Sequence, residues 1–107
     1  MKACIVEAIH QLPTLTEKEV PQPMDHQELV AVKASALNHR DIYITQGLYP
    51  GIRLGATMGA DGCGIDSAGQ SVLIYPGLDW GNNQAFQAKT FRVLGVPDDG
   101  TFADYIA

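Results

Sequence analysis

The sequence predicts a mainly β fold, a small barrel or sandwich with one or two short helices. Eleven glycines and six prolines divide the 107 residues into segments that seldom reach the length of a helix. The segment ELVAVKAS alternates with the period of two that a strand requires. A content of 46% hydrophobic and 18% charged residues suits one domain with a single core.

The strands expected in chain order are residues 2–8, 14–20, 28–35, 71–77, 90–96 and 101–107. In the third of these, the face carrying Val30, Val32 and Ala34 is expected to point into the core. The fourth, SVLIYPG, is predicted to be a fully buried strand. Residues 37–47 lack alternation and are the first segment that could hold a turn or two of helix, with His39 and Asp41 near its start.

The charge balance excludes several classes of partner. Seven Lys and Arg against twelve Asp and Glu give a formal net charge of −5, and the basic residues are scattered. We therefore expect no binding to nucleic acid or to anionic membrane surfaces. The N-terminal segment MKACIVEAIHQLP is too short and too polar for a signal peptide, so a cytoplasmic location is expected by default.

Metal-binding and disulfide patterns are also missing from the sequence. Cys4 and Cys63 stand apart, without a CxxC motif or a His or Cys at zinc-like spacing, and are expected to be buried reduced thiols. The glycine-rich GADGCG segment has neither GxGxxG nor GxxxxGKS spacing. Its glycines, Gly59, Gly62 and Gly64, are interpreted as positions where a strand bends sharply or where two backbones approach closely.

The segment ALNHRDIYITQGLYPG, residues 36–51, concentrates the candidate functional side chains. For each there is also a structural interpretation. Asp41, near the start of a helical turn, can be a helix cap. Tyr43 and Tyr49 can be packing residues with one edge in water. His39 is expected to be a solvated surface residue.

Several motifs in order carry a resemblance to a known family. The opening MKA strand, ELVAVKASALNHRDIYITQGLYPG, GADGCG, VLIYPGLDWG and RVLGVPDDGTFADYIA resemble the N-terminal GroES-like domain of the medium-chain dehydrogenase/reductase superfamily. The zinc-independent, quinone-oxidoreductase-like branch is the most similar. The resemblance covers nearly all of residues 1–107 and implies one alcohol dehydrogenase N-terminal-like domain, a partly open β-barrel.

The resemblance implies the roles of the candidate residues. Asn38 would offer its amide to the nicotinamide ribose or to a substrate carbonyl, and Tyr43 would place a hydroxyl near the carboxamide. Asp41 would anchor the loop, and Tyr49 would line the same substrate cleft. The implied cofactor is NADPH, which carries the hydride chemistry.

The resemblance also implies that no metal binds. At the positions where the zinc-using branch has a Cys and a His, this chain has Asn38 and Ala60. An amide and a methyl group do not supply the donors that zinc needs. The four clustered cysteines of the structural zinc lobe are absent as well.

The chain departs from the family in two places. The stretch around 64–72 is shorter than the family pattern, and Asp66 stands where an apolar residue is expected, so that a clipped hairpin is predicted and Asp66 needs a polar partner. The sequence also ends at Ala107, where a family member continues into a Rossmann domain. The isolated domain is therefore expected to hold no cofactor, or to hold NADPH weakly.

Three functional hypotheses follow, and the sequence leaves open whether the chain is an enzyme. It is a standalone binding module, or a truncated fragment without activity, or half of an NADPH-dependent oxidoreductase that needs a Rossmann partner in trans to reduce a quinone or carbonyl. The hypotheses without catalysis by the isolated domain are favoured. Because the face toward a second domain would be uncovered, a homodimer or larger oligomer formed through it is predicted.

Overall fold

Eight strands and one helix are present in the computed structural model, which describes all of residues 1–107. The elements are β1 (Lys2–Ile5), β2 (Thr14–Glu17), β3 (Val30–Ser35), α1 (His39–Thr45), β4 (Gly62–Ile65), β5 (Ser71–Ile74), β6 (Gly77–Leu78), β7 (Arg92–Val93) and β8 (Tyr105–Ile106). The mainly β prediction is confirmed, with one short helix. That helix has seven residues, and no helix has the length and apolar character that crossing a bilayer requires.

The strands form three small antiparallel sheets, which together make a partly open barrel. One sheet has the order β5-β4-β3-β8, while β1 pairs with β2 and β6 pairs with β7. Isolated bridges join Ala3 to Ala103 and Ile5 to Thr57, which connects the β1–β2 hairpin to the rest of the barrel. The sheets do not close on one another completely, as the family resemblance implies.

A β-bulge in β3 changes which residues reach the core. Val30 is buried and Val32 packs against the core. The register with β4 then shifts between Val32 and Ala34, and Ala34 is exposed. A bulge inserts one extra residue and bends the strand, so side chains beyond it no longer continue the face. The prediction of a core face is therefore right for Val30 and Val32 and wrong for Ala34.

The prediction of a fully buried strand at residues 71–77 is wrong. β5 covers Ser71–Ile74 and lies at the edge of its sheet, with exposed and half-buried residues alternating. Leu73 is 88% exposed. A continuous apolar run has the same appearance whether or not a neighbour covers its outer face, which is why the sequence pattern did not distinguish the two cases.

The hairpin between β4 and β5 is regular over the segment that the sequence marks as shortened. Gly62–Ile65 pair with Ser71–Ile74 without an irregularity. Asp66 finds the polar partners it needs, since its carboxylate accepts hydrogen bonds from the backbone N–H groups of Ala68 (2.9 Å) and Gln70 (2.8 Å). This is the Asx-turn geometry that stabilises a tight loop.

Two small clusters make up the buried core. The first combines five residues from four segments of the chain: Val6, Ile44, Ala56, Met58 and Val96. The second joins β3, β8 and the loop after β7 through Val30, Leu94 and Ile106. The first cluster lies under α1, because Ile44 is the helix residue with no exposed surface, so it fixes the helix against the barrel.

Residues 100–102 form the barrel seam, a segment that closes the barrel through backbone hydrogen bonds. Thr101 donates its N–H to Gly59 O (2.9 Å), Phe102 donates to Met58 O (2.8 Å), and Cys4 in turn donates to Phe102 O (2.8 Å). Gly59 permits this close approach because it has φ of +97° and a Cβ there would lie 2.5 Å from Thr101 Oγ1 and 2.8 Å from the backbone nitrogen of Phe102. The interpretation of Gly59 as a position of close approach is confirmed.

Asp99 fixes the turn that leads into this segment. Its carboxylate accepts the N–H of Thr57 (2.9 Å) and forms ion pairs with Lys18 (3.2 Å) and Arg53 (3.0 Å). Partial burial raises the pKa of Asp99, but the Thr57 hydrogen bond and the two cations outweigh burial and lower it. The carboxylate is therefore held in its charged form at the barrel seam.

Gly59→Ala should lower the free energy of unfolding by about 3 kcal/mol or prevent folding, since the new Cβ meets both an unfavourable φ and backbone atoms. Gly69→Ala is the matched control, because Gly69 also has positive φ (+81°) but has open space around its Cβ position. Its cost should be about 1 kcal/mol. Urea unfolding followed by circular dichroism measures both, and equal losses would contradict the close approach at Gly59.

Candidate functional site

The beginning of helix α1 holds two of the predicted site residues in fixed positions. Asn38 is the N-cap, and its backbone N–H donates to Asp41 Oδ2 at 2.8 Å. The N–H of Asp41 donates back to Asn38 O at 3.0 Å. Asp41 is 1% exposed, so its carboxylate satisfies the helix N-terminus from inside the protein. In this structure Asp41 is a helix cap that anchors the loop.

Asn38 is also linked to the GADGCG segment. Its Nδ2 lies 3.5 Å from Asp61 Oδ2, at the limit of a hydrogen bond. Asp61 is itself held by the barrel seam, because the hydroxyl of Thr101 donates to Asp61 O at 2.7 Å. The position of the Asn38 amide is thus set by the closure of the barrel, although the amide keeps unused hydrogen-bonding capacity.

Two carboxylate oxygens behind Asn38 are buried without a hydrogen-bond partner: Asp41 Oδ1 and Asp61 Oδ1. Cys4 lies within reach of this negative charge. Burial, and then the charge of Asp41, raise the pKa of the Cys4 thiol. Both effects favour the neutral form of the Cys4 thiol. The expectation that the two cysteines are buried is wrong, because Cys4 and Cys63 are each half-buried.

Tyr43 lies on the solvent side of α1. Its side chain is 48% exposed, and its ring is stacked with His39 at a centroid distance of 6.5 Å. No protein group forms a hydrogen bond with the Tyr43 hydroxyl. His39 is exposed, as the sequence predicts. The Tyr43 hydroxyl is consequently free to bind a molecule that approaches this face.

Tyr49 has a different environment from the other three site residues. It packs against the first core cluster, and the guanidinium of Arg40 lies 4.8 Å from the centre of its ring. Arg40 Nε is also 3.4 Å from the Tyr49 hydroxyl. These contacts correspond to the packing role with one polar edge that was the alternative for Tyr49. Its assignment to the substrate cleft stays a prediction.

Arg40 is a structural residue that the sequence analysis did not identify. Its two terminal nitrogens donate to Leu94 O (3.0 Å) and Val96 O (3.2 Å), so that it joins α1 to the loop after β7. An Arg next to a solvated His gives no local signal for such a role. The acceptors are backbone carbonyls more than fifty positions away, and no sequence pattern marks them.

The face that carries residues 36–51 is open. The three main cavities are lined by other residues, and none of them includes Asn38, Asp41, Tyr43 or Tyr49. Leu37 beside Asn38 is 72% exposed. These side chains therefore lie on an open face of the domain and not in one of its main cavities.

The donor groups in this region do not fit a catalytic zinc ion. Nowhere in the structure do three or more His, Cys, Asp or Glu side chains lie together so that they could hold a metal. Of the two positions that bind zinc in the zinc-using branch, Asn38 carries an amide, and Ala60 carries a buried methyl group. Tetrahedral zinc sites need three or four converging thiolate, imidazole or carboxylate donors.

Comparison with known families identifies the fold. Residues 24–107 match the model of the alcohol dehydrogenase GroES-like domain. The chain belongs to this family. The match includes α1, the GADGCG segment and the barrel seam, and it confirms the resemblance to the N-terminal domain of medium-chain dehydrogenases and reductases.

Individual relatives agree with this assignment. A zinc-type alcohol dehydrogenase-like protein of Schizosaccharomyces pombe is 40% identical over 86 residues, which is 78% of this chain. The crystal structure of an NAD-dependent alcohol dehydrogenase superposes with a TM-score of 0.88 at 29% identity over 99% of this chain. The RspB dehydrogenase of Escherichia coli CFT073, solved with NADH, superposes with a TM-score of 0.86 at 25% identity over 99% of this chain.

All three relatives are much longer than the sequence described. The chain spans 24% of the S. pombe protein, 36% of the NAD-dependent alcohol dehydrogenase and 35% of the RspB chain. The comparison thus covers only the part of those proteins that matches this chain.

Asp41→Asn should increase the alkylation rate of Cys4, because it removes one of the two causes that raise the pKa of this thiol. The side-chain oxygen of an Asn at position 41 can still accept the N–H of Asn38, as Asp41 does, so the fold should be retained. Iodoacetamide labelling in a Cys63→Ser background, followed by mass spectrometry, gives the rate. The increase should be seen at pH values where the thiol is still mostly protonated, and it should disappear at a pH high enough to ionise the thiol in both proteins.

Asp25→Asn is the control for this measurement. Asp25 is exposed. Its substitution therefore makes the same change in formal charge as Asp41→Asn, but at the surface of the protein. It should leave the labelling rate unchanged. Equal rates for Asp41→Asn and Asp25→Asn would contradict the coupling of Cys4 to Asp41.

Proposed function

We propose that this chain forms the substrate side of an NAD(P)H-dependent oxidoreductase active site, and that it does not catalyse turnover without a nucleotide-binding domain. The observation that carries the proposal is the open face at the N-terminus of α1. There the Asn38 amide is held in place but incompletely paired, and the Tyr43 hydroxyl is unpaired. A second domain placed against this face would convert it into a cleft.

Asn38 and Tyr43 would position a carbonyl substrate and the nicotinamide end of the cofactor. The Asn38 side chain can donate to a substrate oxygen through Nδ2 and accept through Oδ1. The Tyr43 hydroxyl can bind the carboxamide. Because Asn38 is fixed by the helix cap and by Asp61, this arrangement is formed before substrate arrives, which lowers the entropic cost of orienting it.

The cofactor itself supplies a hydride when it is bound. The residues present fit its nicotinamide end but not its phosphates. The glycine-rich segment of this chain is used for backbone packing, as Gly59 and Gly64 show: a Cβ on either would meet neighbouring backbone atoms. A loop committed to close packing cannot cradle a pyrophosphate, so that contact has to come from another domain.

We assign the chain to the metal-free, quinone-oxidoreductase-like branch. The support is chemical: neither Asn38 nor Ala60 is a zinc donor. An amide N–H at the position of Asn38 can stabilise developing negative charge on a substrate oxygen, which is the task that a Lewis acid performs in the other branch. The substrate class proposed is therefore a quinone or another activated carbonyl.

A chimera tests this proposal, with the chain replacing the matching segment of the NAD-dependent alcohol dehydrogenase relative. We expect NADPH- or NADH-dependent quinone reduction by the chimera, while the isolated chain binds either cofactor with a Kd of about 1 mM or weaker. Asn38→Ala should lower kcat/KM of the chimera by about 100-fold. Asn82→Ala, an exposed loop position, is the control and should have no effect.

Two outcomes would contradict the proposal. One is a folded chimera that binds NADPH but reduces no quinone or aldehyde. The other is an equal effect of Asn38→Ala and Asn82→Ala on kcat/KM. Nicotinamide fluorescence distinguishes loss of cofactor binding from loss of chemistry.

A second candidate function is a standalone, oligomeric binding module. Leu37 (72% exposed) and Leu48 (70% exposed) flank the site residues in sequence, and such side chains favour association of the open face with another copy. This candidate would gain support if the chimera were inactive and Leu37→Lys converted an oligomer of the isolated chain into a monomer.

A further inference from the structure

Strand β5 lacks the charged residue, proline or bulge that often protects an edge strand, and its short length of four residues is its one protection against pairing with another strand. It is the outermost strand of its sheet, in the order β5-β4-β3-β8. Its sequence, SVLI, contains no charged residue, no proline and no bulge, and Leu73 at its centre is 88% exposed. Natural proteins normally blunt such an edge with Lys, Pro or a bulge, because its free backbone groups would otherwise recruit another strand.

The backbone groups of Leu73 point away from the sheet. In the hairpin, Asp66 N–H donates to Gln70 O at 2.9 Å, which makes these two residues a hydrogen-bonded pair. Antiparallel pairs alternate between hydrogen-bonded and non-hydrogen-bonded types. Counting from that pair along the observed register, Gly64–Val72 is hydrogen-bonded and Cys63–Leu73 is not. The N–H and C=O of Leu73, and likewise of Ser71, are therefore directed outward.

We propose that two copies of this chain pair through β5 as antiparallel strands, with a two-fold axis at Leu73. Leu73 of each copy then donates its N–H to the carbonyl of the other, and Ser71 pairs with the partner's Tyr75. Val72 lies opposite the partner's Ile74 on the inner face. The four-stranded sheets of the two copies become one continuous sheet, and the interface is the same surface on both, as a closed dimer requires.

This register allows more backbone hydrogen bonds between the two strands than the neighbouring registers do. Centred on Leu73, residues 71, 73 and 75 contribute about six backbone hydrogen bonds, and apolar residues face each other on the inner side. A shift toward the N-terminus places Leu73 opposite Ser71 or Gly69. A shift toward the C-terminus places Val72 opposite Pro76 and Leu73 opposite Tyr75. Each of these shifts removes the pairing of Val72 with Ile74 and leaves fewer outward-facing residues of β5 paired, with about four backbone hydrogen bonds or fewer.

The two sides of β5 have room for side chains of the partner. The outer side has a groove of about 320 Å³, whose lining includes Lys33, Cys63, Ile65, Ser71 and Leu73. In the proposed register Tyr75 of the partner subunit, which is 74% exposed in one copy, lies next to Ser71 and can cover this groove. The inner side has an apolar cavity of about 310 Å³ that Val72 and Ile74 line together with Leu78 and Leu94.

A second copy is favoured as the occupant because the edge is complementary to itself. β5 is uncharged, so the pairing brings no like charges together although the chain as a whole carries −5. A pairing of five residues a side is small beside a standard interface of about 800 Å² per partner, so we expect a dimer with a Kd of about 10 μM or weaker. It uses no residue of the 36–51 face and leaves that face free.

Analytical ultracentrifugation of the isolated chain at about 10–500 μM tests the proposal. We expect a monomer–dimer equilibrium whose Kd rises at least 10-fold in Leu73→Lys. Leu12→Lys is the matched control: Leu12 is 90% exposed on a loop, and its substitution should leave the Kd unchanged. Leu37→Lys places the same charge on the open face and should also leave it unchanged. Circular dichroism and thermal melting confirm that each variant is folded.

Crosslinking gives a positive test that does not depend on disrupting the protein. Opposed residues in a hydrogen-bonded strand pair have Cβ atoms about 5.5 Å apart, too far for an unstrained disulfide but within reach of a short bismaleimide. In a Cys4→Ser/Cys63→Ser background, Leu73→Cys should therefore form a covalent dimer with a short bismaleimide, and Leu12→Cys should not.

A monomer at all concentrations, an unchanged Kd in Leu73→Lys, or equal crosslinking of both cysteine variants would overturn the proposal. Loss of the dimer in Leu37→Lys alone would assign the interface to the open face instead. The activity of the chimera tests the proposed catalytic function separately, since β5 is remote in sequence from Asn38 and Tyr43.

Discussion

The rest of this structure depends on the backbone seam formed by residues 100–102. Gly100, Thr101 and Phe102 donate their N–H groups to the carbonyls of Thr57, Gly59 and Met58, respectively, and Phe102 O accepts from Cys4. This seam holds the β1–β2 hairpin against the larger sheet. It also fixes Asp61 through the Thr101 hydroxyl, and Asp61 in turn faces the Asn38 amide. Barrel closure and the geometry of the candidate site are thus one hydrogen-bonded system.

The candidate site is an open surface of this domain and is not enclosed. Helix α1 is anchored from below by Ile44 in the core and from the side by Arg40, while Asn38 and Tyr43 are left at the surface. Such rigidity is what a half-site needs if a second domain is to meet it in a defined geometry. The family assignment and the share of the relatives that the chain covers are consistent with a domain that works against another one.

Features with local causes were predictable from the sequence. The period-two pattern located β3, the absence of alternation over residues 37–47 located α1, and the glycines of GADGCG marked close backbone approach. Features that depend on distant partners were not predictable. Leu73 is exposed because no strand covers β5, and Arg40 is structural because the carbonyls of Leu94 and Val96 lie beside it. Neither fact has a signature within a few residues of the side chain concerned.

Amide hydrogen exchange of the isolated 107-residue chain tests the central claim most directly, because it reports on the seam residue by residue. The account predicts that the amides of Gly100, Thr101 and Phe102 exchange as slowly as those of the β3–β4 pair, near the limit set by global unfolding. Exchange of these three amides as fast as in the exposed loop 82–84 would mean that the seam is open, and it would contradict a barrel closed by residues 100–102.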